Sequence, residues 1–504
     1  MKPAKNILPM LTAALFSVSL TQAQDYSANI FDGHADVGLC NLKGDLHFMP
    51  GTQEYMITGS GDNIWFGADQ FHFAWKKLTG DFIVRADVRF VGEGSHEHRK
   101  AGWMIRSSLE TGSPHVSATV HGDGLTSIQY RTAAGAETFE RRSSVTAPDV
   151  IQLERKGDRF ILSVAVRGNP FDTLSVTQSS MTGEIYAGLF ICSHDNSVAE
   201  SARFSNVRII RPAKDDFVPY RDYLGSNLEI MDVETGHRRV IYQAPNSIQA
   251  PNWTPDGKYL IYNSEGLLYR FDLATGKPEQ INSGFATSNN NDHVLSFDGR
   301  MLGISHHVAE EGGKSIIFTM PSGGGIPEQI TANGPSYLHG WSPDSKYLTY
   351  TAEREGNYDI YKISVKKKKD IRLTDAPGLD DGPEYSPDGR YIYFNSARTG
   401  TMQLWRMKPD GTGQEQLTFD SYNNWFPHIS PDGQLIVFLS FMPEVRADDH
   451  PFYKHVYIRM MPAEGGTPAV IAYLYGGQGS INVPSWSPDG KQIAFVSNSG
   501  SLEH

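Results

Sequence analysis

Histidine, carboxylate, arginine and amide side chains recur at matching positions around a repeated turn in the second half of the chain. The turn has the pattern Pro/Phe-Asp-Gly/Ser and begins at Pro255, Phe297, Pro343, Pro387, Pro431 and Pro488. In a hairpin one strand runs to the turn and the next runs back, at about 3.3 Å per residue. Polar residues about four to seven positions from each turn are therefore predicted to meet at the opposite end of the strands.

This predicted site contains groups suited to proton transfer, binding and metal chemistry. The predicted catalytic residues are His339, Arg354, Arg398, Asp380, Asp381 and Glu384. The predicted substrate-binding residues are Asn291, Asp292, Tyr337, Glu353, Asn424, Trp425 and Asn482. Four imidazoles are predicted to hold one divalent cation (Mn, Ca or Zn), and these are His293, His306, His307 and His428. No nucleotide or organic cofactor is predicted.

Several of these residues also have a structural interpretation. His306 and His307 are adjacent on a predicted strand, so their side chains point to opposite faces and at most one reaches the site. The same argument applies to Asp380 and Asp381. The aspartates of the repeated turns are predicted to be turn-forming only, because Asp side chains hydrogen-bond their own backbone in such hairpins.

The spacing of the turns predicts a β-propeller. Successive turns lie 42, 46, 44, 44 and 57 residues apart, which is the period of a four-stranded blade. Six copies predict six blades over residues 227–500. The last copy stops two strands short, and the missing pair precedes the first repeat, at residues 228–232 and 239–242. The ring is therefore predicted to close by pairing of its N- and C-terminal strands, which removes an exposed sheet edge.

Residues 24–212 have a different pattern. Apolar residues alternate with period two in segments such as 82–88, 115–120, 150–154 and 160–164, as expected for a β-sandwich. Five segments, at residues 80–82, 100–106, 113–116, 153–158 and 204–207, resemble the concanavalin A-like lectin/glucanase jelly roll. The resemblance implies an all-β jelly-roll sandwich that contacts carbohydrate. Residues 213–226 form a charged linker to the propeller.

The propeller repeats carry a second resemblance. Trp341-Ser342-Pro343-Asp344, Tyr385-Ser386-Pro387-Asp388-Gly389 and Trp486-Ser487-Pro488-Asp489-Gly490 resemble the TolB-like (WD40-like PD40) repeat. Propellers of this type include periplasmic binding platforms and oligogalacturonate lyases. Resemblance to the lyases implies a manganese-type site, with His293, His339 and His428 as ligands and Arg354 or Arg398 as base. The closely spaced glutamine and paired histidines of the lyases are not reproduced, since residues 424–428 hold one histidine.

The N-terminus predicts export. Residues 1–23 combine two lysines, an apolar stretch from Ile7 to Leu20 and a small-residue end at Ala23, the pattern of a signal peptide. The mature protein is predicted to be periplasmic or extracellular, without membrane insertion. Cys40 and Cys192 are the only cysteines, and the sequence leaves open whether they form a disulfide or remain free thiols. Residues 501–504 are interpreted as a tag scar.

The charge of the chain excludes one class of partner. Lys and Arg number 45 against 57 Asp and Glu, a net charge of −12, which lacks the basic footprint of a nucleic-acid-binding protein. The sequence as a whole predicts an exported carbohydrate-active protein, a glycan lyase or glycoside hydrolase with its site at the propeller mouth. The alternative is a non-catalytic TolB-type propeller that binds a glycan or a protein.

Overall fold

The computed structural model describes residues 26, 28–218 and 221–502. These residues contain 37 β-strands and one 3₁₀ turn, Ala309–Glu311, so the predicted all-β fold class is confirmed. The predicted signal peptide, residues 1–23, lies outside the described residues, as do the last two residues of the predicted tag scar. No helix in the described ranges has the length and apolar character needed to cross a bilayer.

The first fourteen strands form the N-terminal domain. They are β1 Gly33–Val37, β2 Asp45–Met49, β3 Glu54–Gly59, β4 Phe71–Leu78, β5 Phe82–Val91, β6 Lys100–Arg106, β7 His115–His121, β8 Thr126–Arg131, β9 Phe139–Arg142, β10 Val150–Lys156, β11 Arg159–Ala165, β12 Asp172–Thr177, β13 Ile185–Cys192 and β14 Glu200–Ile210. They pair in two seven-stranded antiparallel sheets, ordered β1-β4-β13-β6-β7-β8-β9 and β12-β11-β10-β5-β14-β3-β2.

One hydrophobic core lies between the two sheets. Trp103 and Ile128 enter it from the first sheet, and Leu153, Leu162 and Phe204 enter it from the second, all without solvent exposure. Period-two alternation places these side chains inward, because successive residues of a strand point to opposite faces. Both cysteines are free thiols, with Cys192 buried and Cys40 half-buried.

The remaining strands form a six-bladed β-propeller. They are β15 Gly225–Asp232, β16 Arg238–Ala244, β17 Gln249–Trp253, β18 Tyr259–Ser264, β19 Leu267–Asp272, β20 Lys277–Ile281, β21 Asn289–Leu295, β22 Met301–Val308, β23 Lys314–Pro321, β24 Glu328–Gln329, β25 Ser336–Trp341, β26 Tyr347–Arg354, β27 Asn357–Ser364, β28 Asp370–Arg372, β29 Asp380–Tyr385, β30 Ile392–Ser396, β31 Gln403–Met407, β32 Glu415–Gln416, β33 Asn423–Ile429, β34 Leu435–Phe441, β35 Lys454–Pro462, β36 Ala469–Gly476 and β37 Gln492–Ser499. Blades one to five are the consecutive four-stranded sheets from β17 to β36, and blade six joins β15 and β16 to β37. In blade six, Gly225 to Asp232 of β15 pair antiparallel with Ser499 to Gln492 of β37.

The repeated turns are held by local hydrogen bonds. In blade four the Asp388 carboxylate accepts from the Ser386 hydroxyl at 2.7 Å and from the backbone N–H of Arg390 at 3.0 Å. The same pattern recurs at Asp256, Asp298, Asp344, Asp432 and Asp489. Because each bond spans only two residues, the turn forms from its own sequence, as expected for Asp in a hairpin.

The innermost strands of the first five blades each carry a register shift shortly before the turn. In blade four the shift lies between Asp381 and Glu384, and in blade five it lies between Trp425 and His428. Gly382 and Phe426, inside these shifts, have left-handed φ angles of 64° and 56°. A bulge of this kind bends the strand and redirects its side chains, so residues on its two sides meet different surroundings.

A buried ionic cluster joins the N-terminal domain to blade six. Glu229 on β15 accepts from Arg208 of β14 at 2.7 Å and from Arg238 of β16 at 2.8 Å, and all three side chains are at most 5% exposed. Arg85 of β5 lies beside them and donates to the carbonyl of Tyr473 in blade five. These contacts hold the N-terminal domain against two adjacent blades.

Candidate functional site

A cavity of about 1060 Å³ opens in the propeller at the end opposite the repeated turns. Nine amide side chains line it, namely Asn246, Gln249, Asn263, Asn289, Asn290, Asn291, Asn357, Gln478 and Asn482. Its carboxylates are Glu265, Asp292, Asp381 and Asp448, and its imidazoles are His307, His339 and His450. Its aromatic residues are Tyr223, Tyr337, Tyr358, Phe426 and Phe452. Among the described residues that line this mouth there is no lysine or arginine.

Seven of the residues predicted from the sequence line the mouth. They are Asn291, Asp292, His307, Tyr337, His339, Asp381 and Asn482. His307 lines it whereas His306 does not, and Asp381 lines it whereas Asp380 does not. The argument that neighbouring strand residues point to opposite faces therefore separates each pair correctly.

His339 and Asp381 form a buried ion pair in the lining of the mouth. His339 Nε2 lies 3.1 Å from Asp381 Oδ1, and the two side chains are 5% and 11% exposed. Burial alone would lower the pKa of His339, but the Asp381 carboxylate raises it above its ordinary value. Burial also opposes ionisation of Asp381, and His339 overcomes this and holds the pKa of Asp381 at about 2. The pair therefore favours an imidazolium facing a carboxylate.

Asp292 lies near this pair, and its pKa shifts in the opposite direction from that of Asp381. Burial raises its pKa to about 6, His339 acts in the opposite direction, and the Asp381 charge raises it further. Two neighbouring carboxyl groups thus have pKa values pushed apart by their surroundings, the pattern in which one acts as an acid and the other stays ionised. Beside Asp292, the Asn291 side chain is 4% exposed and its Nδ2 has no hydrogen-bond partner in the structure.

The two predicted arginine bases are held away from the mouth. Arg354 donates to the carbonyls of Asn333 and Pro335 at 3.0 and 2.8 Å, and also to the hydroxyl of Ser336. Arg398 is paired with Asp380 at 2.6 Å. Both guanidinium groups therefore have protein partners, and neither lines the cavity.

The predicted carboxylates Glu353 and Glu384 also lie outside the lining. Glu353 accepts from the backbone N–H of Gly356 at 3.0 Å. Glu384 is paired with His428 at 2.7 Å, and the other ring nitrogen of His428 donates to the carbonyl of Ile481 at 2.8 Å. These contacts cross from blade to blade and give Glu384 and His428 a structural role.

The histidines predicted as metal ligands do not converge. His293 is fully buried, donates to the carbonyl of Ile261 at 3.3 Å, and has its pKa lowered to about 4 by burial. His306 packs against Phe285 and Phe318, and burial lowers its pKa as well. Within the described chain, no three His, Cys, Asp or Glu side chains are arranged to hold a metal ion. The predicted cation site therefore does not fit the residues present.

Asn424 and Trp425, predicted to bind substrate, lie inside blade five. Asn424 is fully buried, and its side-chain oxygen accepts from Ser440 at 2.7 Å. Trp425 is also fully buried and belongs to the hydrophobic core of the blade. Neither side chain lines the mouth.

Trp425→Ala is expected to destabilise the propeller by about 3–5 kcal/mol, because it leaves a large cavity in a packed core. The measurement is the free energy of unfolding in denaturant. Phe419→Ala, at a side chain that is 77% exposed, is the control and is expected to change stability by less than about 0.5 kcal/mol. A Trp425→Ala protein of normal stability would contradict the structural role.

The site residues named from the sequence do not include His450, Gln478 and Phe426, which also line the mouth. His450 packs edge-on against Trp425, with ring centroids 4.5 Å apart. It lies in the segment between the end of β34 at Phe441 and the start of β35 at Lys454. The available signal was the 57-residue spacing between the last two turns, because a long connection between strands is often functional.

Comparisons with known proteins agree with this architecture. The PD40 family model, a TolB β-propeller domain, matches residues 338–446. The uncharacterized protein Atu1656 of Agrobacterium fabrum is 49% identical over 272 residues, which cover 54% of this chain and 92% of the relative. A solved structure from Agrobacterium tumefaciens, provisionally named TolB, is 48% identical, covers 55% of this chain and 99% of that chain, and has a TM-score of 0.53.

The fold and the repeat match define a β-propeller protein of the TolB repeat class. The chain belongs to the same family as Atu1656. An oligogalacturonate lyase in complex with manganese is 13% identical and covers 75% of this chain and 96% of that chain, with a TM-score of 0.37. A likeness this distant carries no argument about activity.

Proposed function

We propose that this protein is a binding protein whose propeller mouth takes an extended peptide segment of a partner protein. The observation that carries the proposal is the lining of the mouth: nine amides, five aromatic rings, and no lysine or arginine among the described lining residues. Amide side chains both donate and accept hydrogen bonds, which matches the alternating N–H and C=O groups of a peptide backbone.

The positions of the predicted catalytic groups support binding over catalysis. Both arginines are bonded to other protein groups, and Glu384 and His428 bond to each other. A lyase that stabilises an enolate needs a cationic group at the reacting centre, and the described lining offers only histidines for that purpose. The unpartnered Asn291 Nδ2 is instead a free donor for a ligand carbonyl.

A second candidate function is hydrolysis of an uncharged glycan at the same mouth. It is favoured by one observation, the separation of the pKa values of Asp292, about 6, and Asp381, about 2. A protonated carboxyl group beside an ionised one is the arrangement that glycosidases use. Uronic acids fit this version poorly, because the described lining supplies no arginine or lysine for their carboxylates.

The proposal extends to the N-terminal domain and to localisation. We propose that its two facing seven-stranded sheets form a concanavalin A-like jelly roll that contacts carbohydrate, on the strength of the sequence segments given above. We also propose export to the periplasm or beyond, which rests on the sequence of residues 1–23.

The test is selection of peptides from a randomised heptapeptide display library on the immobilised protein. Selected peptides are expected to bind Asn291→Ala roughly tenfold more weakly, since a buried hydrogen bond to the ligand is lost. Gln280→Ala, on the exposed outer strand β20, is the control and should bind normally. Peptides that bind both variants equally would place binding outside the mouth.

The glycan candidate is tested separately by incubation with neutral oligosaccharides and assay of new reducing ends. Hydrolysis that disappears in Asp292→Asn but persists in Asp298→Asn would establish the second function. Absence of hydrolysis, together with peptide selection that depends on Asn291, would leave binding as the function.

A further inference from the structure

We propose that the mouth selects a peptide segment bearing a lysine or arginine side chain, and that this cationic group lies against Asp292. The inference rests on the proposed peptide-binding function and adds the chemistry of the bound segment. It follows from the charges in the mouth, from the unpartnered groups beside Asp292 and from the aromatic lining.

The mouth has more carboxylates than cationic partners for them. Of its four carboxylates, Asp381 is paired with His339 at 3.1 Å, and Asp448 is paired with Arg446 at 2.7 Å. Asp292 and Glu265 have no lysine or arginine within 4.0 Å in the described part of the chain. Asp292 and Glu265 therefore lack a cationic partner of their own in a cavity lined by amides and aromatic rings.

A buried carboxylate without a cationic partner is costly. Asp292 is 6% exposed, and burial raises its pKa to about 6. A ligand cation beside it would supply the missing partner and would be worth more there than in water, because the surroundings screen charge weakly. Asn291 Nδ2, also buried and unpartnered, would then donate to a backbone carbonyl next to the cationic residue.

The aromatic lining fits the same ligand. Tyr337 and Tyr358 line the mouth, and the face of an aromatic ring attracts an ammonium or guanidinium group. An anionic segment would instead meet the uncompensated carboxylates, with only His307, His339 and His450 among the basic lining residues. His339 is already engaged with Asp381.

The affinity for a cation beside Asp292 should change with pH in one direction. Asp292 faces His339, Asp381 and His307, and His450 faces Asp381. A ligand cation favours the ionised form of Asp292, whose pKa is about 6, so affinity should rise as pH increases from 5 to 7.

The experiment uses three pools of acetylated and amidated pentapeptides. Each pool has randomised uncharged residues at four positions and a fixed central lysine, glutamine or glutamate. The pools are passed over the immobilised full chain at pH 7, and bound peptides are quantified by mass spectrometry. The lysine pool is expected to be enriched about tenfold over the glutamate pool, with the glutamine pool between them.

Two variants test whether Asp292 causes the preference for lysine. Asp292→Asn is expected to remove the preference for lysine over glutamine and to flatten the rise in binding between pH 5 and pH 7. Asp298→Asn removes one negative charge at the opposite, turn-bearing end of the propeller and is expected to change neither. If Asp298→Asn reduced the preference as much as Asp292→Asn, general attraction to an acidic protein would explain it and the proposal would fail.

The outcomes separate the two proposals. Equal retention of all three pools, sensitive to Asn291→Ala, would overturn cation selection and leave peptide binding in place. Preference for the glutamate pool would also overturn it. Retention of no pool at millimolar peptide would reject both the cation preference and the peptide-binding function on which it rests.

Discussion

Replacing Glu229 by glutamine is expected to weaken the contact between the N-terminal domain and the propeller by about 3–5 kcal/mol. Glu229 is fully buried and bonds Arg208 of the N-terminal domain and Arg238 of blade six, at 2.7 and 2.8 Å. Glutamine keeps the shape but removes the charge. The guanidinium groups of Arg208 and Arg238 would then be buried without the carboxylate that both of them bond.

The pKa of Glu229 shows how strongly the arginines hold it. Burial opposes ionisation, but Arg208 and Arg238 overcome it and lower the pKa to about 2, from an ordinary value near 4.5. A carboxylate whose pKa is depressed on folding stabilises the folded state above its unfolded pKa and loses that contribution as pH falls. The contribution of Glu229 should therefore be complete above about pH 4.5 and decline between 4.5 and 2.

The weakening of the domain contact in Glu229→Gln is measured by calorimetry and by limited proteolysis of the linker near residues 213–218. Glu229→Gln is expected to unfold at lower temperature and to be cleaved faster in the linker, because parting the two domains lets the arginines reach water. Glu279→Gln is the matched control. Its ion pair with Arg270 is exposed, so it should contribute less than about 1 kcal/mol. If Glu229→Gln and Glu279→Gln lowered stability equally, burial of the Glu229 ion pairs would not explain the loss.

The propeller was predictable because its repeat is encoded locally. Asp388 needs only Ser386 and the backbone of Arg390 to form its turn, so the turn can be recognised from a few residues. The pairing of β15 with β37 followed from counting strands in each repeat and finding two missing at one end. In the N-terminal domain, β5, β7, β10 and β11 followed from period-two alternation, because one face of each sheet packs on the shared core.

The site was only partly predictable, because distance from a turn gives the height of a residue along the strand and not the path of its side chain. Arg354 and Arg398 lie at the expected height, but their long side chains reach protein oxygens instead of the mouth. Glu384 and Asp381 stand on two sides of a bulge and have different partners. His450 lies in a connection outside the repeat, so no register places it.

Asp380 and Asp381 are neighbours on β29, so they test how the direction of a side chain decides its role. Asp381 faces the mouth and pairs with His339, whereas Asp380 is fully buried on the other side and pairs with Arg398 at 2.6 Å. Asp380→Asn is expected to lower stability by about 3 kcal/mol and to leave ligand binding at the mouth unchanged. Asp381→Asn is expected to lower stability by a similar amount, about 3 kcal/mol near pH 6, and also to change ligand binding.

The two variants should also differ in their dependence on pH. The pKa of Asp381 is depressed to about 2, so its contribution is present above an unfolded value near 3.8. The pKa of His339 is raised, so its contribution is complete below an unfolded value near 6.5 and is lost as pH rises through the folded pKa. The cost of Asp381→Asn should therefore be greatest between about pH 4 and 6.5 and smaller at pH 9.

Unfolding free energies of wild type, Asp380→Asn and Asp381→Asn at pH 6 and pH 9, with an NMR titration of the His339 ring, measure this prediction. Asp381→Asn should lower the pKa of His339 relative to wild type, because burial is then opposed mainly by the more distant Asp292 carboxylate. Asp380 pairs with an arginine and not with a histidine, so the cost of Asp380→Asn should change less between pH 6 and pH 9 than the cost of Asp381→Asn. An equal pH dependence in the two variants would mean that the charge on His339 is set by something other than Asp381.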